Sequence, residues 1–189
     1  MADNAPVKTP GRTQVFWPQW MSAKQFELGP GSMNVEEFIA RWAPSQASER
    51  ANKDSYLKEL CRVLGVPEPD VKTGDPERDV YVFEADARIL SEEDRPRFGL
   101  MDLYKKDCFV LEAKQGSDKG SKKVGTAKRD TPGWAVAMGE AFGKSLQYAR
   151  TLETPPPFVI VADLGYCFDL YACFDGSGAY RAFPNGQRN

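Results

Sequence analysis

The chain contains no histidine, and this absence excludes several kinds of chemistry at once. Ser-His-Asp and Cys-His catalysis need an imidazole, as do histidine-ligated zinc sites and histidine proton shuttles. The four cysteines are widely spaced and form no C-x-x-C pair of the kind that indicates a zinc ribbon or a redox dithiol. They are expected to be reduced, buried thiols. Any acid, base or metal ligand must therefore come mainly from Asp, Glu, Lys, Tyr or Cys.

Long apolar runs and a strong charge imbalance are also missing. No apolar run approaches the roughly 20 residues that span a bilayer, and the N-terminus lacks the apolar part of a secretory signal. A cytoplasmic location with no membrane partner is therefore expected. The net charge is −2, from 25 basic and 27 acidic residues, which argues against a domain that simply coats nucleic acid with positive charge. The net charge does not exclude a local basic patch on the surface.

The length of 189 residues and the apolar content of 41% predict one globular domain with a core of normal size. Residues 1–33 are Pro-rich and aperiodic, and Gly29-Pro30-Gly31-Ser32 directly before Met33 resembles a cloning scar. We therefore treat residues 1–33 as an N-terminal extension, of native or cloning origin, and residues 34–189 as the folded domain.

Apolar spacing predicts an α/β fold with a mixed (α+β) sheet. A helix runs from Val35 until Pro44, and a second, capped by Ser48 or Ser45, ends at Gly65. Three strands are expected next, then a helix that starts at Thr131 and Pro132, an apolar strand buried on both faces, and a terminal hairpin. These last elements span residues 80–84, 98–104, 108–114, 131–152, 158–162, 167–173 and 179–183.

The residues that carry chemistry are Asp102, Glu112 and Lys114, at D-x9-E-x-K spacing across the predicted hairpin. Glu112 and Lys114 are two apart on one strand, so their side chains share a face. With residues 105–107 as a three-residue turn, Asp102 lies opposite Val110 and diagonal to Glu112, on that same face. A two-residue turn would put Asp102 opposite Phe109 on the other face and remove the site.

Two converging carboxylates and one lysine suit the hydrolysis of phosphodiesters without histidine. Magnesium commonly takes one or two carboxylates together with water and substrate phosphate. A neighbouring lysine can orient or deprotonate the attacking water and offset charge on the phosphate. The alternative is a solvated hairpin face with a cross-strand ion pair of little energetic value. The strand around Glu112 and Lys114 is otherwise apolar, which favours the functional interpretation because charge at a core edge is costly without a partner.

These residues also resemble a known family. The order of elements, helix, three strands, helix, strand, resembles the restriction-endonuclease-like PD-(D/E)XK core, and GLMDLYKKDCFVLEAKQG is similar to its metal-binding hairpin. FIARWAPSQASERANKDSYLKELCRVLGVPEP and GKSLQYARTLETPPPFVIVADLGYCFDLY are similar to the N-terminal nuclease region of type IIL restriction-modification enzymes, single chains that fuse a nuclease, an adenine methyltransferase and a target-recognition domain. The resemblance covers about residues 34–183.

The resemblance implies roles for particular residues. Asp102 and Glu112 would be ligands of Mg2+ (or Mn2+), with the backbone carbonyl of Ala113 as a third, and Lys114 would position the water. Glu49 falls where many such nucleases keep an additional acidic residue, although it is also explained as an exposed helix charge.

Further candidates are Gln115 and two residues of the later helix. The Gln-x3-Tyr pattern of many PD-(D/E)XK nucleases reads Lys144-x3-Tyr148 here, so Lys144 is either a phosphate contact or a solvated lysine. The loop 115–131 is predicted to be mobile, with a net charge of +3 from five basic and two acidic residues. It is either a solvated linker or a contact to the DNA backbone. The DNA-contact candidates are Lys119, Lys122, Lys123, Lys128 and Arg129.

The resemblance implies a Mg2+-dependent, type II-like DNA endonuclease domain of a restriction-modification and phage-defence enzyme. The segment has no N/D-P-P-Y/F motif and no glycine-rich cofactor loop, so adenine methylation and S-adenosylmethionine would belong to the parent chain. Expected partners are double-stranded DNA and the methyltransferase and target-recognition domains of that chain, with a homodimer or transient oligomer left open for cleavage. The alternatives are a catalytically silent scaffold or DNA-docking module and a stand-alone repair or mobile-element nuclease.

Overall fold

The fold is built on one six-stranded mixed sheet with helices on both of its faces. The computed structural model describes residues 33–44, 48–89, 97–118 and 127–184. Within them the α/β fold class and the predicted order of elements are confirmed. The elements are α1 (Val35–Trp42), α2 (Glu49–Leu64), β1 (Tyr81–Ile89), β2 (Arg97–Lys105), β3 (Phe109–Lys114), α3 (Pro132–Thr151), β4 (Phe158–Asp163), β5 (Cys167–Ala172) and β6 (Arg181–Ala182).

The six strands lie side by side in chain order. Only β3 and β4 are parallel, and α3 connects them, whereas every other neighbouring pair is antiparallel. A parallel pair requires such a crossover because its strands start at the same edge of the sheet. β4 lies between β3 and β5, and Val159, Val161 and Ala162 are fully buried, so the prediction of a strand covered on both faces is confirmed.

The helix boundaries follow from local signals in the sequence. The Asn34 side chain accepts from the Glu37 amide at 2.8 Å and the Glu37 carboxylate accepts from the Asn34 amide at 3.0 Å, which forms a capping box at the start of α1. Ser48 is the N-cap of α2 without a side-chain hydrogen bond. Gly65 ends α2 with a φ of 65°, a left-handed conformation that glycine adopts without steric cost.

Apolar side chains cover both faces of the sheet. One face packs against α1 and α2 through a cluster that includes Phe38, Trp42, Tyr56, Leu103 and Leu111. The other face packs against α3 through two clusters. The first contains Val82, Met101, Val110 and Tyr148. The second contains Trp134, Met138, Ala141 and Val161. Along β3, Val110 faces α3 and Leu111 faces the opposite side, as strand alternation requires. Glu112 and Lys114 therefore project toward the α3 side.

The turn between β2 and β3 lies one residue later than predicted. Lys105 pairs with Phe109, so the three turn residues are 106–108 rather than 105–107. Asp107 has a φ of 56°, and the Cys108 amide donates to the Lys105 carbonyl at 3.1 Å. Aspartate tolerates the left-handed conformation better than most residues, which favours this position for the turn.

This correction changes the register but keeps the face. The structure pairs Tyr104 with Val110, whereas the sequence predicts Asp102 in that position. Because the shift is two residues, the side chains of the paired residues 103–105 and 109–111 stay on their predicted side of the sheet. The ladder between β2 and β3 ends with the pair Leu103 and Leu111, so Asp102 and Glu112 lie just beyond it and are not paired in it.

β1 and β2 depart from regular alternation at Glu84 and Asp102. Leu103 packs in the cluster beside α2, whereas Met101, two residues away, packs in the cluster beside α3. Regular pleating would put both on one face. Glu84 has a φ of 52°, and the Glu84–Asp102 position is missing from the register of the two strands. The pairing keeps step on both sides of this position, so the irregularity adds no residue to either strand, and it lies at the candidate site.

The remaining predictions differ from the structure mainly at element ends. β1 extends to Ile89 instead of ending at residue 84, and β6 is only two residues long. All four cysteines, Cys61, Cys108, Cys167 and Cys173, are free, as predicted, but only Cys61 and Cys173 are buried. Trp134 is buried in the core. Among the described residues, no helix is long and apolar enough to cross a membrane.

Gly99 gives a direct test of how α3 packs on β2. A Cβ atom at Gly99 would lie 2.7 Å from Cε1 and 2.8 Å from Cζ of Tyr148, whose side chain is buried. We expect Gly99→Ala to lower the free energy of unfolding by about 1–3 kcal/mol, as overpacking does. Urea unfolding measures this change. Gly139→Ala is the matched control, since its Cβ would meet nothing within 4 Å; an equal loss in both variants would contradict the packing.

Candidate active site

Asp102 lies where β2 and β3 stop pairing. Its Oδ2 accepts a hydrogen bond from the backbone amide of Ala113 at 2.7 Å, and this contact follows the last ladder pair, Leu103 with Leu111. The Asp102 carboxylate thus links β2 to β3 beyond their last backbone pair. Asp102 is 14% exposed at its side chain, so it reaches solvent while both of its oxygens have partners.

Glu112 is almost fully buried and carries an incomplete set of hydrogen bonds. Its Oε1 accepts from Lys114 Nζ and from Lys144 Nζ, each at 2.7 Å. Its Oε2 is buried and has no hydrogen-bond partner among the described residues. A buried carboxylate oxygen without a donor is costly, and in native structures such an atom calls for an explanation, for example a bound ion.

Lys114 completes the predicted trio. Its ammonium donates to Glu112 Oε1 at 2.7 Å and to the Ala113 carbonyl at 2.8 Å. The side chain is 20% exposed, so the ammonium is at the edge of the protein rather than in its interior. The structure therefore brings Asp102, Glu112, Lys114 and the Ala113 backbone together around the end of one hairpin.

Glu49 belongs to the same group of charges. It is half-buried in the first turn of α2. Burial raises the pKa of Glu49 above its ordinary value; the positive charge of Lys114 opposes this rise, and the negative charges of Asp102 and Glu112 add to it. An isolated, solvated helix charge would not experience these neighbours, so the structure places Glu49 beside the predicted site.

Lys53, which the sequence reasoning did not include, lies one helical turn after Glu49. Its ammonium donates to Glu84 Oε1 at 2.7 Å and to Asp102 Oδ1 at 3.0 Å. Burial lowers the pKa of Lys53, but the hydrogen bonds to Glu84 and Asp102 outweigh it and raise the pKa overall. A signal was present in the sequence, since Lys53 shares the face of α2 that carries the apolar Tyr56 and Leu57.

On the opposite face of the sheet, α3 contributes Lys144 and Tyr148. Lys144 pairs with Glu112 and lies over the Tyr148 ring, 5.4 Å from its centroid. Burial lowers the pKa of Lys144, but the hydrogen bond and charge of Glu112 outweigh it and raise the pKa overall. Tyr148 is 2% exposed and packs in the core. Lys144 thus belongs to the site and is not merely a solvated lysine.

Gln115 lies outside this arrangement. Its side chain is buried, and its Nε2 donates at 3.4 Å to the carbonyls of Gly116 and Leu164. Its Oε1 has no hydrogen-bond partner among the described residues. Gln115 therefore lies against the turn after β4.

Of the DNA-contact candidates, Lys128 and Arg129 fall within the described residues. Lys128 is exposed. Arg129 is 3% exposed and donates to Asp163 from Nε at 3.1 Å and from Nη2 at 2.9 Å, to Asp118 at 3.0 Å and to the Leu164 carbonyl at 2.9 Å. This burial corrects the prediction that Arg129 contacts DNA, because its guanidinium is occupied inside the domain. Lys119, Lys122 and Lys123 lie outside the described residues.

Asp163 is the centre of this buried network. Beyond the two bonds from Arg129, it accepts from the Gly116 amide at 2.9 Å and from Trp134 Nε1 at 2.8 Å. Asp163 also pairs with Lys114 in the β3–β4 register. The network therefore connects the ends of β3 and β4 with the start of α3, next to the candidate site.

The donor set fits a hard divalent cation. Asp102, Glu112 and the Ala113 carbonyl offer oxygen ligands, and Glu112 Oε2 is the buried oxygen that lacks a donor. Two carboxylates plus a carbonyl match the small protein contribution that Mg2+ usually needs. Among the described residues there is no group of three or more His, Cys, Asp or Glu side chains suited to a metal, so the side chains alone do not form a complete set of ligands.

The comparison with protein families decides where this domain belongs. The family model described as "MmeI, N-terminal domain" matches residues 21–178, which is more than half of the chain. The chain belongs to the MmeI N-terminal domain family. It is therefore a domain of the type IIL restriction-modification kind, as the resemblance of the sequence predicts.

Other comparisons add no relative. Neither the curated proteins nor the solved structures yield a match to this chain. The match to the MmeI N-terminal family begins within residues 1–33, which we set apart as an extension. The domain boundary at residue 34 stays a prediction.

Proposed function

We propose that this MmeI-family domain is a Mg2+-dependent DNA endonuclease with a PD-(D/E)XK site formed by Asp102, Glu112 and Lys114. The observation that carries the proposal is Glu112, whose Oε2 is buried without a donor while Oε1 is held by two lysines. Such an oxygen is prepared for a ligand that the protein itself does not provide. The neighbouring Asp102 and Ala113 carbonyl supply further oxygens on the same hairpin.

The side chains divide the work of hydrolysis among them. Asp102, Glu112 and the Ala113 carbonyl would hold Mg2+, which when bound polarises the phosphate and makes water a better nucleophile. Lys114 lies between Glu112 and the Ala113 carbonyl, where it can position the attacking water and offset charge on the phosphate. Lys144 is 42% exposed at its side chain and can contact a phosphate of the scissile strand.

The expected substrate is double-stranded DNA, and the expected setting is a single restriction-modification and phage-defence chain. Among the described residues nothing resembles a major-groove reader, and we assign sequence choice to a target-recognition domain of the parent enzyme. Adenine methylation and the binding of S-adenosylmethionine would lie in its methyltransferase domain. Lys128 is an exposed residue of this domain that can contact the DNA backbone.

The dependence of cleavage on the cation tests the function. We expect the complete enzyme to cut double-stranded DNA with Mg2+ or Mn2+ in the presence of S-adenosylmethionine, and to lose all cutting with excess EDTA. Cutting should return when Mg2+ is restored in excess over EDTA. Gel electrophoresis of a plasmid substrate measures cleavage in excess EDTA and after Mg2+ is restored. Cleavage that persists in EDTA would exclude the proposed site as the source of the activity.

The same assay separates the proposed nuclease from a silent scaffold. A scaffold or DNA-docking module would bind DNA without cutting it under any cation. Intact Asp102, Glu112 and Lys114 in one arrangement favour a working site, since a scaffold has no need for a buried carboxylate oxygen without a donor. Complete enzyme that methylates DNA but never cuts it would overturn the proposal.

A further inference from the structure

Lys53 occupies a position where a charged side chain is unexpected. It lies on the buried face of α2 and is 6% exposed, next to the apolar Tyr56 and Leu57. Lysine is almost never fully buried unless its ammonium is paired, because an unpaired charge in an apolar environment is costly. The pairing here uses two carboxylates from two strands, Glu84 on β1 and Asp102 on β2.

The contact with Asp102 fixes the direction of its carboxylate. Lys53 Nζ lies 3.0 Å from Oδ1, and the Ala113 amide lies 2.7 Å from Oδ2. One donor comes from a helix and the other from a neighbouring strand, so the carboxylate cannot rotate without losing a hydrogen bond. Functional side chains keep their geometry through such supporting contacts.

The contact with Glu84 supports the irregular part of the sheet. Glu84 is a non-glycine residue with a φ of 52°, at the position where β1 and β2 leave regular alternation. Lys53 holds its side chain at 2.7 Å, while Lys72 Nζ holds its backbone carbonyl at 2.7 Å. Lys53 therefore links α2, β1 and β2 at the point that presents Asp102.

The ammonium also changes the electrostatics of the site. Lys53, Lys114 and Lys144 each lie within 3.0 Å of a carboxylate oxygen of Asp102 or Glu112. A divalent cation at these carboxylates is repelled by every one of the three ammoniums, and the repulsion is strong where water is excluded. Of the three lysines, Lys53 is the most buried, with 8% of its side chain exposed against 20% and 42%.

We infer that Lys53 is a positioning residue that orients Asp102 and places a fixed positive charge beside it, so that the site binds its divalent cation weakly. The inference rests on the proposed function, because it concerns the same cation site. It predicts two effects of opposite direction when the ammonium is removed. Cation binding becomes tighter, because the repulsion is gone, and cleavage becomes slower, because the Asp102 carboxylate is no longer held.

Mn2+ binding to the 189-residue chain, measured by isothermal titration calorimetry, tests the inference. We expect Lys53→Met to lower the Kd for Mn2+ by about fivefold or more, and Lys53→Arg, which keeps the charge, to stay within about twofold of wild type. In the complete enzyme at saturating Mn2+, Lys53→Met should cut DNA about tenfold more slowly or worse. A lysine with a purely structural role would leave the Kd unchanged or raise it.

Lys72→Met is the matched control. Lys72 contacts the backbone of the same Glu84 and pairs with Asp86, but it does not contact Asp102. The Kd of the Lys72→Met variant for Mn2+ should match that of the wild type. Circular dichroism checks that each variant is folded. A Kd in Lys53→Met that is unchanged or higher overturns the inference, as does a wild-type chain that binds no Mn2+. If wild type binds Mn2+ but the complete enzyme never cuts DNA, the proposed function fails, and the Kd comparison still decides the role of Lys53.

Discussion

Lys114→Met is expected to lower the rate of DNA cleavage by the complete enzyme about 10²–10⁴-fold, the range that positioned proton-transfer groups contribute. The ammonium lies 2.7 Å from Glu112 Oε1 and 2.8 Å from the Ala113 carbonyl, so it adjoins the carboxylate and the carbonyl of β3 that we assign to the cation. Methionine keeps the length of the side chain but removes the charge and all three donors. Single-turnover cleavage at saturating Mg2+ measures the effect on the chemical step.

Two comparisons make this result specific. Lys106→Met, in the exposed turn of the same hairpin, should cut DNA at the wild-type rate. Asp102→Asn should lose cleavage like Lys114→Met, because the amide keeps the shape of the side chain but not its charge. Each variant should bind DNA with nearly wild-type affinity in a gel-shift assay. Undiminished cleavage in Lys114→Met and Asp102→Asn would mean that the site lies elsewhere.

Asp163→Ala is expected to lower the free energy of unfolding by about 3–5 kcal/mol, because it leaves the buried Arg129 guanidinium without its main partner. Asp163 is fully buried and accepts four hydrogen bonds, from Arg129 Nε and Nη2, Trp134 Nε1 and the Gly116 amide. A loss of this size is a large fraction of the stability of a typical domain. Urea unfolding followed by tryptophan fluorescence measures it.

A surface ion pair and a paired replacement serve as controls. Glu68→Gln breaks the exposed Arg62–Glu68 pair and should leave the unfolding midpoint nearly unchanged. The double variant Arg129→Met, Asp163→Leu should recover part of the loss, since two apolar residues remove the unpaired charge. A loss in Asp163→Ala no larger than that in Glu68→Gln would contradict the assignment of Arg129 to the interior.

The sequence predicted the hairpin well because its signals are local. Strand alternation predicts that Glu112 and Lys114 share a face of the sheet. A turn of three residues predicts that Asp102 lies on that same face. The predicted turn was one residue too early. No simple pattern in the sequence shows whether Lys105 or Cys108 belongs to the turn. The shift preserved the face of the paired residues, and Asp102 reaches the end of β3 through its hydrogen bond from the Ala113 amide.

The sequence could not predict contacts that depend on how distant elements pack. Lys53 precedes Asp102 by 49 residues, and only the placement of α2 on the sheet joins them. Arg129 looked like one member of a basic loop, yet its pairing with Asp163 depends on where β4 ends beside that loop. Composition and spacing show the charge of such residues, but they do not show whether the folded protein pairs that charge in its interior.

We propose that Glu112 holds the cation of a DNA-cutting site, and Glu112→Gln tests this role most directly. Glutamine keeps the size of the side chain and an oxygen for the two lysines, but it removes the negative charge that the cation needs. The measurement is single-turnover cleavage by the complete enzyme at saturating Mg2+, with folding and DNA binding checked alongside. We predict a loss of at least about 10²-fold. Cleavage within about twofold of wild type would contradict the account, because the effect would then be far below that range.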